Sequence, residues 1–401
     1  MARSESWGRF ALLLLAAGFL LARPGLLELA GLMLTVLAVA WAWDRWSLHA
    51  FEYRRRLHYK RAFPGEKVPL DLRVENRKFL PLAWLRTRDR WPLALAPEDE
   101  SLLLPSHLPG EGILALLLAM RGFSRLRRRL EVVFRRRGIY TVGPALAESG
   151  DPFGLYRRET MVQPEERVVV FPEVRAVRDL GLRPDDPFGE RRSARMLFED
   201  PSQTIGVRDL QPGDSFRRIH WSATARLGQL QARVYQPVSG LDLVVCLNAA
   251  TYERYWEGTN PDLLEALIRV AASLAQEAYT RGYRVGLISN GSLSYADRPF
   301  SISPGRSREQ LARILEALAG LVPIITVPFE RYLLSQAPRL EYGSTLLVVT
   351  AITPLPLIEA LLRLKSHCRR SALVSLGRTP PPGIPGVDVL HWAAERSEGE
   401  T

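Results

Sequence analysis

Between residues 208 and 226 the chain reads RDLQPGDSFRRIHWSATAR, a segment crowded with cations, carboxylates, an imidazole and an indole. Three chemistries fit those side chains. His220 with Asp214 forms a candidate acid–base pair for proton transfer, yet no nucleophile stands at a recognisable spacing from it. Arg208, Arg217, Arg226 and Arg233 each carry a planar fork that matches a carboxylate or an inorganic anion. Asp209 and Asp214 are nearby acceptors, so the same residues also suit an arginine–carboxylate network that pins a structural or docking joint. Pro212-Gly213 marks a turn, and Asp214 is placed to cap a short helix from Ser215. On that helix Phe216, Ile219 and Ala223 would face a core, with Arg217 and Arg218 outward. Trp221 would bury its ring and seek a partner for its indole N–H. The joint outweighs both anion binding and catalysis.

The elements that must hold this segment change character along the chain. Residues 49–170 alternate polar and apolar residues in short β-branched runs, with Gly and Pro at turn spacing, which predicts a small all-β, sandwich-like domain. Residues 171–240 read as an irregular connecting segment rich in Pro, Asp and Arg. The tetrad Asp-Pro-Phe-Gly occurs there at 186–189 and earlier at 151–154, each a turn with an aromatic foot. From 241 to 395 the pattern becomes α/β. LDLVVCL (241–247) is a strand buried on both faces, and a helical stretch opens at Asn260-Pro261 and stops at Gly282. Asn290-Gly291 predicts a hairpin turn. Further helices fall within 307–320, 328–336 and 355–367, and strands within 344–350, 372–377 and 387–392. Alternation of this kind predicts a mainly parallel sheet covered on both faces.

Ligands of such sheets sit at the carboxyl ends of the strands. Those ends read NAATY (248–252), SNG (289–291) and TAIT (350–353). The sequence has no Gly-rich phosphate loop, zinc-protease helix or nucleophile elbow. Its two cysteines, Cys246 and Cys368, are too few for a disulfide framework or a cysteine-based zinc site.

The α/β portion resembles the von Willebrand factor A fold. In that fold the first strand often ends in Asp-x-Ser-x-Ser, which with a Thr and a further Asp holds Mg²⁺. Here the matching positions are Asn248, Ala250 and Tyr252, and Thr350-Ala351 stands where Thr-Asp would be. Asn248, Thr251 and Thr350 offer neutral oxygens only, whereas hard cations favour carboxylates. The expectation is a degenerate site with no tight metal and no cofactor. The arginine-rich segment sharpens the resemblance. Arg208, Pro212, Gly213, Asp214, Arg218 (or Arg217), Ile219, Trp221, Ala225 and Arg226 are similar to the signature of the domain-of-unknown-function 58 family. RRGIYTVGP, SGDPFGLYRRE and VVVFPEV are similar to its upstream part. That resemblance implies a bacterial or archaeal membrane protein encoded beside a MoxR-type AAA+ ATPase and serving it as an adaptor or assembly factor.

The N-terminus sets the expected location. FALLLLAAGFLLA (10–22) and LLELAGLMLTVLAVAWAW (26–43) flank a short RPG turn, and the second approaches the ~20 residues a bilayer requires. Residues 1–48 therefore predict a transmembrane helical hairpin, with a cleaved signal peptide as the weaker rival. Arg3 and Arg9 precede the pair, Arg45, Arg54, Arg55, Arg56, Lys60 and Arg61 follow it, and only Arg23 lies between. The positive-inside rule then places the body on the cytoplasmic side of the inner membrane.

The net charge of +11 rests on 50 Arg and four Lys. The eight Arg of 121–138 could draw anionic lipid but read more simply as the solvated face of strands that turn Leu130, Val132 and Phe134 inward. No aromatic platform or reading helix accompanies that charge, so nucleic acid is not an expected partner. The expectation is a membrane-anchored, non-enzymatic, protein-binding chain. Cation-dependent adhesion and an Asp214/His220 hydrolase are the alternatives.

Overall fold

The computed structural model describes residues 2–177, 198–212, 214–238, 242–254 and 257–392. Two compact units divide the chain, Met1–Phe171 and Pro172–Thr401.

The first unit opens with helices Ala2–Leu20 and Pro24–Ser47. Pro24 begins the second helix because a first-turn residue needs no N–H donor. Among the described residues, Pro24–Ser47 is the one helix long and apolar enough to cross a membrane. Its 24 residues rise about 36 Å at ~1.5 Å each. The partner expected to complete a hairpin span has only the shorter apolar stretch Ser6–Leu20. One apolar N-terminal helix is thus the membrane-compatible element.

Eleven strands follow, several of which alternate buried and more exposed positions as the sequence pattern predicts. Phe51–Leu57, Lys67–Asn76 and Arg125–Val133 form one antiparallel sheet. Arg157–Gln163, Ala145–Gly150, Leu82–Pro92, Glu111–Met120 and Leu103–Pro105 form a second, in that spatial order. Arg61–Ala62, Glu166–Val170 and Gly138–Val142 make a third. Leu70 and Leu72 from the first sheet share one apolar cluster with Leu85, Trp91 and Leu114 from the second. Val132 and Phe134 are also in it, with Leu130 packed against it.

An ion pair crosses that core. Arg55 and Asp89 are fully buried, with Arg55 Nη1 2.5 Å from Asp89 Oδ1. The Tyr53 hydroxyl donates to Asp89 Oδ2 at 3.1 Å, and Arg55 Nη2 donates to the Val142 carbonyl at 3.1 Å. Burial pushes the Asp89 carboxyl up, and the Arg55 guanidinium opposes that shift.

The second unit has two parts. Strands Phe198–Asp209 and Gln231–Val238 pair as an antiparallel ribbon, where the sequence suggested irregular structure. The larger part is a sheet ordered Ala296–Gly305, Arg284–Leu293, Asp242–Leu247, Thr345–Thr350, Arg370–Ser375 and Asp388–His391. The last five of these strands pair in parallel, and Ala296–Gly305 is antiparallel. Leu321–Ile325, which the sequence reading missed, pairs antiparallel with Arg284–Leu293. Val244, Cys246, Leu346 and Val348 pack with Phe329, Leu333, Leu357 and Leu361, which lie on helices Phe329–Gln336 and Leu355–Leu364. Helix Pro261–Thr280 packs on the sheet with Leu267, Ile268, Ala271 and Leu274 buried, beside helix Gln310–Ala319.

The expected Asn290-Gly291 turn is corrected. Both residues lie inside Arg284–Leu293, and the reversal falls at Ser294-Tyr295. A side chain on Gly291 would press on Ala249 and Leu321, so a close approach rather than a turn explains this glycine. The second Asp-Pro-Phe-Gly tetrad, at 186–189, and Gly213 lie outside the described residues.

Candidate functional site

Arg208 and Asp209 end one strand of the ribbon, opposite Ala232 and Gln231. Arg208 donates from Nη1 to Asp214 Oδ2 at 2.7 Å and from Nη2 to Asp214 Oδ1 at 2.8 Å. The Gln211 N–H adds a bond to Asp214 Oδ2 at 2.8 Å. The result is a closed fork over the turn that contains Pro212. The Arg208 guanidinium holds the Asp214 carboxyl down at about 2.

This geometry corrects the expected cap. Asp214 is committed to Arg208, and the Ser215 side chain caps a single 3-10 turn, Phe216–Arg218. The α-helix begins later, at Trp221–Leu227, where His220 Nδ1 accepts from the Ala223 N–H at 3.1 Å and lies 3.0 Å from Ser222 Oγ. Gly228 at φ +70° closes that helix in the left-handed conformation. Two bonds dock the helix on the ribbon and a third closes the ribbon's end. His220 N–H reaches the Gln231 carbonyl at 2.8 Å, Gln231 N–H reaches Thr224 Oγ1 at 3.0 Å, and Gln231 Nε2 reaches Asp209 Oδ1 at 2.6 Å.

The arginines do not act alike. Arg208 makes the bidentate fork. The Arg218 guanidinium lies 5.6 Å from the centre of the Tyr235 ring, a cation–π distance. Arg217 and Arg226 are exposed. His220 and Asp214, the supposed acid–base pair, are each engaged elsewhere and not with one another.

The apolar side chains also depart from expectation. Ile219 is buried and Ala223 half-buried, but Phe216 is 79% exposed and Trp221 67% exposed. Leu227, Leu230, Ile205 and Val207 are exposed as well. Polar groups of the motif therefore hold its backbone, while its largest apolar side chains and two cations face outward. Buried aromatic and arginine anchors dominate the energetics of protein–protein interfaces, and this surface presents both types.

The strand ends form a second, closed network. Asn248 Nδ2 donates to Thr350 Oγ1 at 3.1 Å, and Asn248 Oδ1 accepts from the Ala250 N–H at 3.1 Å. Asn290 donates from Nδ2 to Asn248 Oδ1 at 3.2 Å and accepts the Ala249 N–H at 2.8 Å. Thr350 Oγ1 donates to the Ile352 carbonyl at 2.7 Å, and Thr251 Oγ1 accepts the Asn260 N–H at 2.9 Å. Asn248, Asn290, Thr251 and Thr350 are buried, while Tyr252 is 39% exposed. The oxygens are neutral and engaged with protein donors, a poor donor set for a hard cation. Among the described residues no group of three or more His, Cys, Asp or Glu is arranged to hold a metal. Asn290 is the member the sequence reading missed, since Asn-Gly after an apolar run carries the signal of a turn.

Solved structures similar to the chain include a cohesin module from a Clostridium perfringens family 33 glycoside hydrolase. It is 14% identical, covers 30% of this chain and 96% of its own, and has a TM-score of 0.22. A non-cellulosomal cohesin from Archaeoglobus fulgidus is 12% identical, with coverages of 30% and 91% and a TM-score of 0.20. Scores this low carry no argument about the fold. A relative from Bacillus subtilis (strain 168), described as "Uncharacterized protein YeaD", is 21% identical over 245 residues, 61% of this chain and 57% of the relative. The chain thus spans little more than half the length of that relative. Residues 206–346, from the arginine-rich ribbon to the start of the Thr345–Thr350 strand, match the family described as "Protein of unknown function DUF58".

Proposed function

We propose that the chain is a membrane-anchored, cytoplasm-facing adaptor that docks a protein partner on the surface carrying Phe216, Arg217, Trp221 and Arg226. The partner class implied by the family resemblance is a MoxR-type AAA+ ATPase. The observation that carries this reading is the inversion within the motif: Arg208 and Asp214 close on one another, while its tryptophan and phenylalanine face outward beside Arg217 and Arg226. An interface would recover the apolar area that folding leaves in water, at roughly 25 cal/mol per Å². A von Willebrand A-like organisation of the larger sheet fits the run of parallel strands, with the Asn248–Asn290–Thr350 network in place of a cation site. A two-helix membrane hairpin is part of the same proposal, supported by the charge asymmetry around residues 1–61.

The test uses the full chain in detergent and a purified MoxR-type ATPase. Wild type is expected to co-elute with the ATPase. Trp221→Ala should weaken binding by about tenfold or more, within the range of interface anchors, without lowering the thermal midpoint of the chain. Equal binding by wild type and Trp221→Ala would refute the assignment of this surface.

A further inference from the structure

Strand direction in the first unit sends four connections to one end of its two main sheets. The Pro24–Ser47 helix arrives there, because Phe51, just after it, stands opposite Asn76. Loop 77–81 crosses there to Leu82, which lies opposite Met120. Turn 121–124 leads from Met120 to Arg125, opposite Glu75. Segment 151–156 joins Gly150 to Arg157, beside Ser149 and Leu85. Hydrogen bonds tie the first three of these connections together. Arg77 N–H donates to the Ala50 carbonyl at 3.0 Å, Phe123 N–H to Lys78 at 3.0 Å, and Asn76 Nδ2 to both Leu80 and Arg121 at 3.0 Å. Arg158 Nη2 lies 3.5 Å from Asp44 Oδ2 of the helix.

Each of the three loops points a phenylalanine outward: Phe79 is 83% exposed, Phe123 72% and Phe153 64%. Phe51, Phe63, Phe134 and Phe171, elsewhere in the same strands and loops, are buried or half-buried. Phe123 adds an independent sign. Its φ of +51° is left-handed, a conformation that crowds the side chain of a bulky L-residue. Glycine would relieve that strain, and a solvated phenyl ring gives the folded unit nothing in return. Strain held at such a position points to function. On the same loops Arg77 pairs with Glu52 and Glu75 and Lys78 is half-buried against Asn76 Oδ1, whereas Arg121 is exposed beside Phe123. Basic residues of this kind attract anionic headgroups near a membrane surface.

We propose that Phe79, Phe123 and Phe153 form a three-loop tip that seats in the interfacial layer of the bilayer around the chain's own anchor. The proposal rests on the reading of Pro24–Ser47 as membrane-spanning. The occupant is the bilayer rather than a second protein because these loops ring the point where the apolar helix joins the β-unit. Aromatic rings favour that interfacial depth, and Trp46, in the last turn of the helix, is itself 60% exposed. The tip would act with the helix, itself tied to the β-unit through Asp44 and Arg158, to fix the tilt of the β-unit at the membrane.

The test places an environment-sensitive thiol label at Arg121→Cys in the full chain, in vesicles of mixed zwitterionic and anionic phospholipid bearing acyl-chain quenchers. Cys246 and Cys368 are buried, and wild type labelled in parallel gives the background. Label at 121 should be blue-shifted and quenched several-fold more than label at Glu98→Cys. Glu98 pairs with Lys67, at the other end of the Lys67–Asn76 strand. Adding Phe79→Ser and Phe123→Ser to the 121-labelled chain should abolish the difference. A Val39→Cys label inside the helix separates the two readings. Quenching at 39 with none at 121 overturns the insertion tip alone, and no quenching at 39 overturns the anchor and the tip together.

Discussion

Asp214 and Asp242 show how position decides what a carboxylate does. Asp214, held by Arg208 at about 2, sits below the ordinary aspartate value of 3.8, so its folded form binds the proton less tightly than the unfolded chain does. Its contribution is present above about pH 4 and lost as pH falls towards 2. The melting-temperature gap between wild type and Asp214→Asn should therefore be widest near neutrality and shrink through that window. Asp242 is the opposite case. It is buried at the start of the Asp242–Leu247 strand, with Arg284 Nη1 3.3 Å away. Burial first, and the nearby Glu341 charge second, raise its carboxyl to about 6. Here the folded state holds the proton more tightly, so the ionised group erodes stability as pH rises from about 4 to 6. Asp242→Asn should gain in melting temperature over wild type across that range and keep the gain above it. A gap that narrows with rising pH would contradict this.

At the scale of elements, the short helix Trp221–Leu227 depends on its ends, since seven residues are too few to be stable alone. His220→Ala removes the N-cap acceptor and should cost about 1 kcal/mol in chemical denaturation, with Asn at 220 restoring most of it. Gly228→Ala forces a side chain into the left-handed C-cap and should cost a similar ~1 kcal/mol. In the β-unit, Arg55→Ala leaves Asp89 buried without its cation and should cost about 3–5 kcal/mol. Replacing both by apolar residues should cost much less. Elements of this kind were unequally legible in the sequence. Asp242–Leu247 and Thr345–Thr350 are unbroken apolar runs, and the Pro261–Thr280 helix announces its start with Asn260, whose side chain caps it. Leu321–Ile325 was not legible because a proline sits inside it. Phe198–Asp209 and Gln231–Val238 were hidden by long-range pairing, which local composition does not encode. The exposure of Trp221 and Phe216 could not be read either. Burial belongs to the assembled ribbon, and large aromatic residues are buried by default.

Across the whole molecule, the central claim is that the arginine-rich motif is a scaffold whose outer surface binds a protein. Two observations support it: the Arg208–Asp214 fork, which stiffens the turn, and the outward placement of Trp221 and Phe216. The strand-end network of Asn248, Asn290 and Thr350 closes on the protein's own donors and acceptors. The most direct measurement is hydroxyl-radical footprinting of the full chain in detergent, alone and with a saturating MoxR-type ATPase. Oxidation of Trp221, Phe216 and Leu227 is expected to fall several-fold in the complex, while exposed Leu117 of the first unit stays unchanged. Undiminished oxidation at Trp221 in a chain that demonstrably holds the ATPase, or no complex at all, would contradict the account.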